Sequence, residues 1–308
     1  MVTPEEFVSS MRGLAKDTKI AYLRRLNYGL DIFPKSLGDP NEITQDDVWN
    51  FIEDMADLGW SSSHRKDIFS LVKRYLGRNK CDAVLLVNPI WPYEERNVEW
   101  LDRPEAIRAW EAACLLGPNH RVLMALCLWG MLRQIEVKRF TIKDSLDSKN
   151  TLKIRGKGRG GEKIRRIAKS QFLEEEINRY ENTHREALIQ LSKARDWQFD
   201  PADQNKLILV KYHKRLKAVG KNLPGEWANE IFDVAGIEKT GTHTFRRSGA
   251  RFLWEDGIPV ETISAILGHS DTKTTMRYIG VDVHHMAAAL EDFNPMQLIK
   301  NKETEINE

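Results

Sequence analysis

The stretch that most constrains this chain is VNPIWPYEERNVEWLDRPE, residues 87–105. Its prolines at 89, 92 and 104 each remove a backbone donor and fix φ. No apolar period of a helix or a strand runs through it before the last of them. A chain of 308 residues is also longer than one ordinary core serves. The sequence therefore reads as two domains. Residues 1–82 form a helical domain, 83–102 a linker, 103–290 a larger domain, and 291–308 a polar tail.

The first domain carries helical periodicity. Ile20, Leu23, Leu26 and Leu30 make one stripe. Thr44 and Asp47 form a capping-box pattern, followed by Val48, Phe51, Ile52 and Met55 on one face, with Gly59 placed to end the helix. Serines at 61–63 precede Ile68, Leu71, Val72 and Tyr75, and Gly77 is the expected stop. In the second domain Pro104 is expected at the first position of a helix reaching about Leu116. Residues 120–140 read as one long, buried, apolar helix. TLKIR and KIRRIA, around a glycine-rich turn, read as a hairpin. Residues 171–195 and 225–236 read as helices, 206–210 as a strand or the start of a helix, and Pro259 and Gly268 as the bounds of another helix. The predicted class is mainly α with a small β-hairpin or sheet.

With 41% hydrophobic and 30% charged residues the chain can bury a core and remain soluble. The three cysteines, Cys81, Cys114 and Cys127, have no metal-like or disulfide-like spacing, which suits a reducing compartment. The N-terminus has no apolar signal region, and the longest apolar run, 122–132, is far short of the ~20 residues that span a bilayer. A cytoplasmic protein without membrane contact is expected. The net charge of +2 is too small to argue for a partner, but its distribution is uneven. Residues 153–169 carry eight Lys/Arg and one acid, and 205–221 carry six and none. Such patches suit a polyanion, or are simply solvated faces.

The candidate chemical groups are scattered. Arg133 and Glu136 sit three apart, an intrahelical ion pair or an arginine held for a phosphate. Lys157 lies in the turn GKGRGG, which lacks the pattern of a phosphate loop. His243 and Arg246 share a helix face, which Thr242 is expected to cap; a neighbouring cation favours an oxyanion over a metal. His269 follows a helix C-terminus, and Tyr278 lies on a short helix. Each alone has a plain structural reading. Together they supply cations, imidazoles and one nucleophile, a set suited to phosphoryl transfer without a metal.

In that order, Arg, Lys, His-x-x-Arg, His and Tyr resemble the tyrosine recombinases, or phage integrases. LRQIE resembles the first arginine box, GKGRGGEKIRRI the hairpin bearing a catalytic lysine, HTFR the second box, and LGHS with Tyr278 nine residues later the closing box. The resemblance spans about residues 4–290. It departs at Gly130-Met131-Leu132-Arg133, one residue longer than the usual Gly-x-Arg, which leaves Arg139 as a second candidate, and at Arg247, where many relatives have histidine. It implies a two-domain C-shaped clamp: a helical, SAM-like core-binding domain plus a catalytic domain. It also implies a site-specific recombinase that cleaves and rejoins DNA through a 3′-phosphotyrosine. Arg133, Lys157, His243, Arg246, His269 and Tyr278 would be catalytic and Glu136 supporting. No cofactor or metal is implied. Partners would be double-stranded DNA, a tetramer of this chain on DNA, and further accessory proteins. Arg155, Arg159, Lys163, Arg165, Lys211, Lys214 and Arg215, from the basic runs, are candidates to face DNA. With only about 80 residues before the linker, no separate arm-binding domain is expected, which suits integration, excision or dimer resolution. The rivals are a type IB topoisomerase, a non-catalytic DNA-binding relative, and a metallohydrolase using His243, His269 and His284 or His285.

Overall fold

The computed structural model describes residues 1–33, 39–92, 98–148, 150–158 and 161–280, and side chains other than those of 157–162. The chain forms two compact units: one runs from Met1 to Asn97, and the second takes up the chain at Val98.

The first unit is helical: α1 Pro4–Ser10, α2 Lys16–Ile32, α3 Gln45–Asp57, α4 Ser62–Arg78 and α5 Asp82–Leu86. The capping box on α3 forms as the sequence predicts. The Thr44 hydroxyl accepts from the Asp47 N–H at 3.2 Å, and the Asp47 carboxylate accepts from the Thr44 N–H at 2.8 Å. Leu26, Val48, Phe51, Met55, Ile68, Val72 and Leu76 make the dry core. Helix α2 lies directly on α4 because position 29 is glycine; a Cβ there would sit 2.8 Å from both Ile68 and Val72. Two expectations are corrected. Ile20 belongs to no buried stripe and is exposed. Gly77 does not end α4, which runs to Arg78. A Cβ at Gly77 would lie 2.9 Å from Leu85, so the glycine admits α5 against α4. Helix α5 falls inside the stretch read as linker, and its Val84, with Val87, is buried in this core.

The second unit contains α6 Arg103–Leu116, α7 Pro118–Leu128, α8 Gln134–Arg139, α9 Ile142–Ser145, β1 Thr151–Gly158, β2 Gly161–Ala168, α10 Gln171–Arg179, α11 Glu186–Ala194, β3 Gln198–Phe199, β4 Leu209–Tyr212, β5 Arg215–Ala218, α12 Leu223–Ala235, α13 Gly241–Glu255, α14 Val260–Leu267 and α15 Thr272–Ile279. Strands β1 and β2 form the expected hairpin, and β3, β5 and β4 form a second small sheet in that order, β3 parallel to β5 and β4 antiparallel. Residues 122–128 of α7 are buried throughout and are the axis of the core. Helix α13 crosses α7 at Gly249, where a Cβ would fall 2.0 Å from the Leu128 carbonyl oxygen.

The larger correction concerns residues 120–140, which are not one helix. Helix α7 stops at Leu128, and α8 begins afresh at Gln134. Between them Met131 takes a φ of +49°, a left-handed conformation that costs a non-glycine residue energy. Smaller corrections follow the same logic. Helix α6 begins at Arg103, so Pro104 is its second residue. Thr242 lies inside α13, whose cap position is Thr240. The 171–195 stretch changes pitch through a π-helical turn at Tyr180–Arg185, which carries the buried Arg185 guanidinium to the Lys206 carbonyl at 3.1 Å.

Candidate active site

The break between α7 and α8 delivers Arg133. It becomes the N-cap of α8, with Glu136 three residues on, so the pair caps a helix start as well as forming an ion pair. The Glu136 carboxylate accepts from the Arg133 backbone N–H at 2.8 Å and from its guanidinium at 3.1 Å. Met131, strained into positive φ, presents its carbonyl to the Arg246 guanidinium. The longer GMLR turn thus supplies an acceptor for one arginine and sets the position of the other. Arg139, the second candidate, donates to the Gly156 carbonyl at 3.2 Å and so fastens the hairpin backbone.

Glu136 is fully buried. It holds Arg165 through two hydrogen bonds of 2.6 and 2.9 Å and lies 3.6 Å from Arg246. Burial alone would raise its pKa, but the Arg165 hydrogen bond and charge, then Arg133 and Arg246, outweigh it and hold the carboxyl at about 2. The acid is therefore ionised and neutralised in place. Arg246 is 1% exposed, with a second donation to the Leu267 carbonyl at 2.7 Å. Burial, then the Arg133 charge, lowers its pKa to about 10, so it stays cationic at neutral pH. Its Nε–H is buried and unpartnered among the described residues.

The second half of the site comes from three helix ends. On α13, the Gly241 N–H is taken by Asn229 at 2.9 Å, and His243 and Arg246 emerge one turn apart. Helix α14 ends in a Schellman-type turn: Gly268 has φ +68° and the His269 N–H returns to the Ser264 carbonyl at 3.1 Å. The His269 Nδ1 then pairs with the Thr275 hydroxyl at 2.9 Å. Desolvation, then Arg246, Arg133, Arg165 and Lys163, push its pKa down to about 4, leaving a neutral imidazole. Helix α15 carries Tyr278, whose hydroxyl lies 3.5 Å from His243 Nδ1. His269 meets the tyrosine ring edge-on at 5.4 Å, and the guanidiniums of Arg247 and Arg246 lie 5.1 and 6.0 Å from its centroid. Packing, then the charges of Arg246, Arg247 and Arg133, lowers the His243 pKa. Desolvation raises that of Tyr278, against the same arginines. At neutral pH the hydroxyl keeps its proton and a neutral imidazole stands beside it.

The structure thus brings together Arg133, Glu136, His243, Arg246, His269 and Tyr278. Lys157 lies on β1 by its backbone; its side chain, and Arg159, lie outside the described residues, as do His284, His285 and the tail. A cavity of about 310 Å³ opens beside the cluster, lined by Arg133, Ile135, Glu136, Gly156, Lys163, Arg165 and Gly268. Among the described residues no three His, Cys, Asp or Glu side chains gather as metal ligands, and no helix is long and apolar enough to cross a membrane.

Among the proposed DNA-facing residues, Lys163 is exposed on the cavity rim, and Lys211, Lys214 and Arg215 are exposed on the β4–β5 hairpin. Arg165 is turned inward as a partner of Glu136, its side chain 10% exposed. Arg155 is paired with Asp144 at 3.0 Å. Sequence reasoning missed Arg251, sandwiched between Trp100 and Trp254 at 4.7 and 4.5 Å and donating to the Ile279 carbonyl at 2.9 Å, which fixes the end of the tyrosine helix. It also missed Thr275, although its place one turn before Tyr278 put it on the same helix face.

The family model described as the phage integrase family matches residues 99–285. The tyrosine recombinase XerD of Lacticaseibacillus casei is 29% identical over 184 residues, 58% of this chain and 56% of that protein, so this chain spans just over half of that relative. The tyrosine recombinase XerD of Listeria monocytogenes is 24% identical over 302 residues, 94% of this chain and 96% of that protein. The tyrosine recombinase XerA of Pyrococcus furiosus is 27% identical over 304 residues, 95% and 94% of the two. Among solved structures, the Tn1549 transposon integrase in complex with circular intermediate DNA superposes with a TM-score of 0.67 at 16% identity, covering 95% of this chain and 100% of that one. A lambda integrase tetramer bound to a Holliday junction gives 0.66 at 16% identity over 89% and 74%. At these identities the structural likeness speaks for the fold. With the family match covering more than half its length, the chain belongs to the phage integrase family, the tyrosine recombinases.

Proposed function

We propose that this protein is a site-specific DNA recombinase in which Tyr278 is the nucleophile. The observation that carries this reading is the Tyr278 hydroxyl 3.5 Å from a neutral His243 imidazole, with Arg246 and Arg247 over its ring and the buried acid Glu136 neutralised by arginine. The tyrosine oxygen attacks a DNA phosphate and forms the P–O bond of a 3′-phosphotyrosine. Its proton passes to His243. The bond to the 5′-oxygen breaks, and Lys157 protonates that oxygen as it leaves. Arg133 and Arg246 meet the charge on the non-bridging oxygens, the unpartnered Nε–H of Arg246 being one donor in reserve. His269, held by Thr275, adds a further donor. A 5′-hydroxyl of a second strand then attacks the phosphotyrosine and returns the proton by the reverse path, so bond energy is kept and no nucleotide is consumed. Neither step draws on a metal. The partners are double-stranded DNA and further copies of this chain, assembled as four on two sites, in the cytoplasm where the DNA lies.

A nicked duplex whose cleaved 5′-end diffuses away tests this. The wild-type protein is expected to give a covalent protein–DNA band in the presence of a chelator, and Tyr278→Phe to give none. A band from Tyr278→Phe sinks the assignment. Strand exchange between two sites, against relaxation of a single-site plasmid, separates a recombinase from a topoisomerase.

A further inference from the structure

A buried carboxylate is an odd neighbour for a group that must meet a phosphate. Glu136 carries a full negative charge beside the cavity and already accepts one hydrogen bond from the Arg133 guanidinium at 3.1 Å; left to itself it would take a second. What prevents this is on β2. Arg165 is 10% exposed by its side chain and covers both Glu136 oxygens, at 2.6 and 2.9 Å. Its Nε–H donates to the Ile266 carbonyl at 2.9 Å, near the end of α14. The backbone makes room for it. A Cβ at Gly268 would sit 2.8 Å from the Arg165 side chain, and one at Gly156 would sit 3.2 Å from Glu136 and 3.9 Å from Arg165. Arg133, by contrast, keeps 31% of its side chain exposed.

We propose that Arg165 is a positioning residue for strand cleavage: by occupying both oxygens of Glu136 it limits Arg133 to a single hydrogen bond there and leaves the rest of that guanidinium for the phosphate. The inference rests on the recombinase reading above. Arg165 touches no reacting atom; it acts through Glu136 on Arg133. Lysine cannot substitute, because one ammonium cannot cover two carboxylate oxygens in a plane. With either oxygen uncovered, Arg133 closes on Glu136 and its share of the phosphate charge is lost.

The test uses the full chain and a cleavable site obtained by covalent capture from a pool of random-sequence duplexes. No capture by the wild type would overturn the recombinase reading and this proposal with it. With a site in hand, Arg165→Met and Arg165→Lys are compared with wild type in single-turnover cleavage at saturating protein. Three scissile linkages are used: the phosphate and the two methylphosphonate isomers, each lacking one non-bridging oxygen. Both variants are expected to cleave the phosphate about 100-fold more slowly, with unchanged half-saturation by DNA. In the isomer that lacks the oxygen facing Arg133, the loss should largely vanish, because that guanidinium has nothing left to hold. If Arg165→Met melts before the assay temperature, Arg165→Lys, which keeps the charge, carries the comparison. Wild-type rates from the variants on the phosphate, or an equal loss on all three linkages, would overturn the proposal alone.

Discussion

Glu136 and His269 show how burial and charge together set the protonation of single residues here. Glu136 is held down at about 2 by arginine, so its stabilising contribution is present above the usual carboxylate pKa and is lost only as pH falls through that low value. Removing the acid strands Arg246 and Arg165 as buried cations without their counter-charge. Glu136→Ala is expected to lower stability by about 3–5 kcal/mol, measured by urea denaturation; a loss below 1 kcal/mol would show that the arginines find other partners. His269 behaves oppositely to a histidine that gains an acid partner. Its folded pKa of about 4 lies below the unfolded value, so between about 6.5 and 4 the unfolded chain binds the proton and the folded one does not. Stability contributed by neutral His269 is complete above that window and falls away within it on acidification. His269→Gln should flatten the decline in melting temperature across that window, and an unchanged slope would assign the decline to other groups.

At the scale of elements, the site depends on how closely helices approach. The contact of α13 with α7 admits no side chain at position 249, since a Cβ would lie 2.0 Å from the Leu128 oxygen. Gly249→Ala must part the two helices and is expected to destabilise by about 1–3 kcal/mol or more. It should also slow cleavage, because α13 carries His243 and Arg246 while α7 leads into Met131 and Arg133. A stable Gly249→Ala protein with full activity would show that the helices can slide without disturbing either half of the cluster.

Across the whole molecule, the basic runs divide into paired and unpaired charge. In 153–169, Arg155, Arg165, Arg166 and Lys169 are engaged by Asp144, Glu136, Asp147 and Glu174. Lys163 is instead exposed and, among the described residues, donates to the Gly268 carbonyl at 3.3 Å. A cation already paired with an acid releases few counterions on meeting DNA. Lys163→Gln is therefore expected to reduce the slope of log affinity against log salt by about 1, and Arg155→Gln to leave it nearly unchanged. Equal changes would mean that the internal pairs open on DNA.

Much of this was legible in residue order. Apolar period, caps and turn residues marked α2, α3 and α4 of the first unit, the β1–β2 hairpin, α12 and α14, because those signals act within one or two turns. The order Arg, His-x-x-Arg, His and Tyr, through its resemblance to a family, pointed to residues that the fold brings together, because each is carried by a local element. What local signals could not decide was where those elements stop and what they meet. Residues 120–140 are apolar enough for one helix, yet the chain breaks at Met131, and the break lets Arg133 cap α8 and brings a carbonyl to Arg246, 115 residues away in sequence. Arg165 looked like one more surface cation because nothing near it in sequence shows the buried acid 29 residues earlier that claims it. By itself the sequence pointed to the groups proposed for the chemistry; only the tertiary structure decided how the arginines among them are paired, because the energy of a charge depends on its neighbours in space.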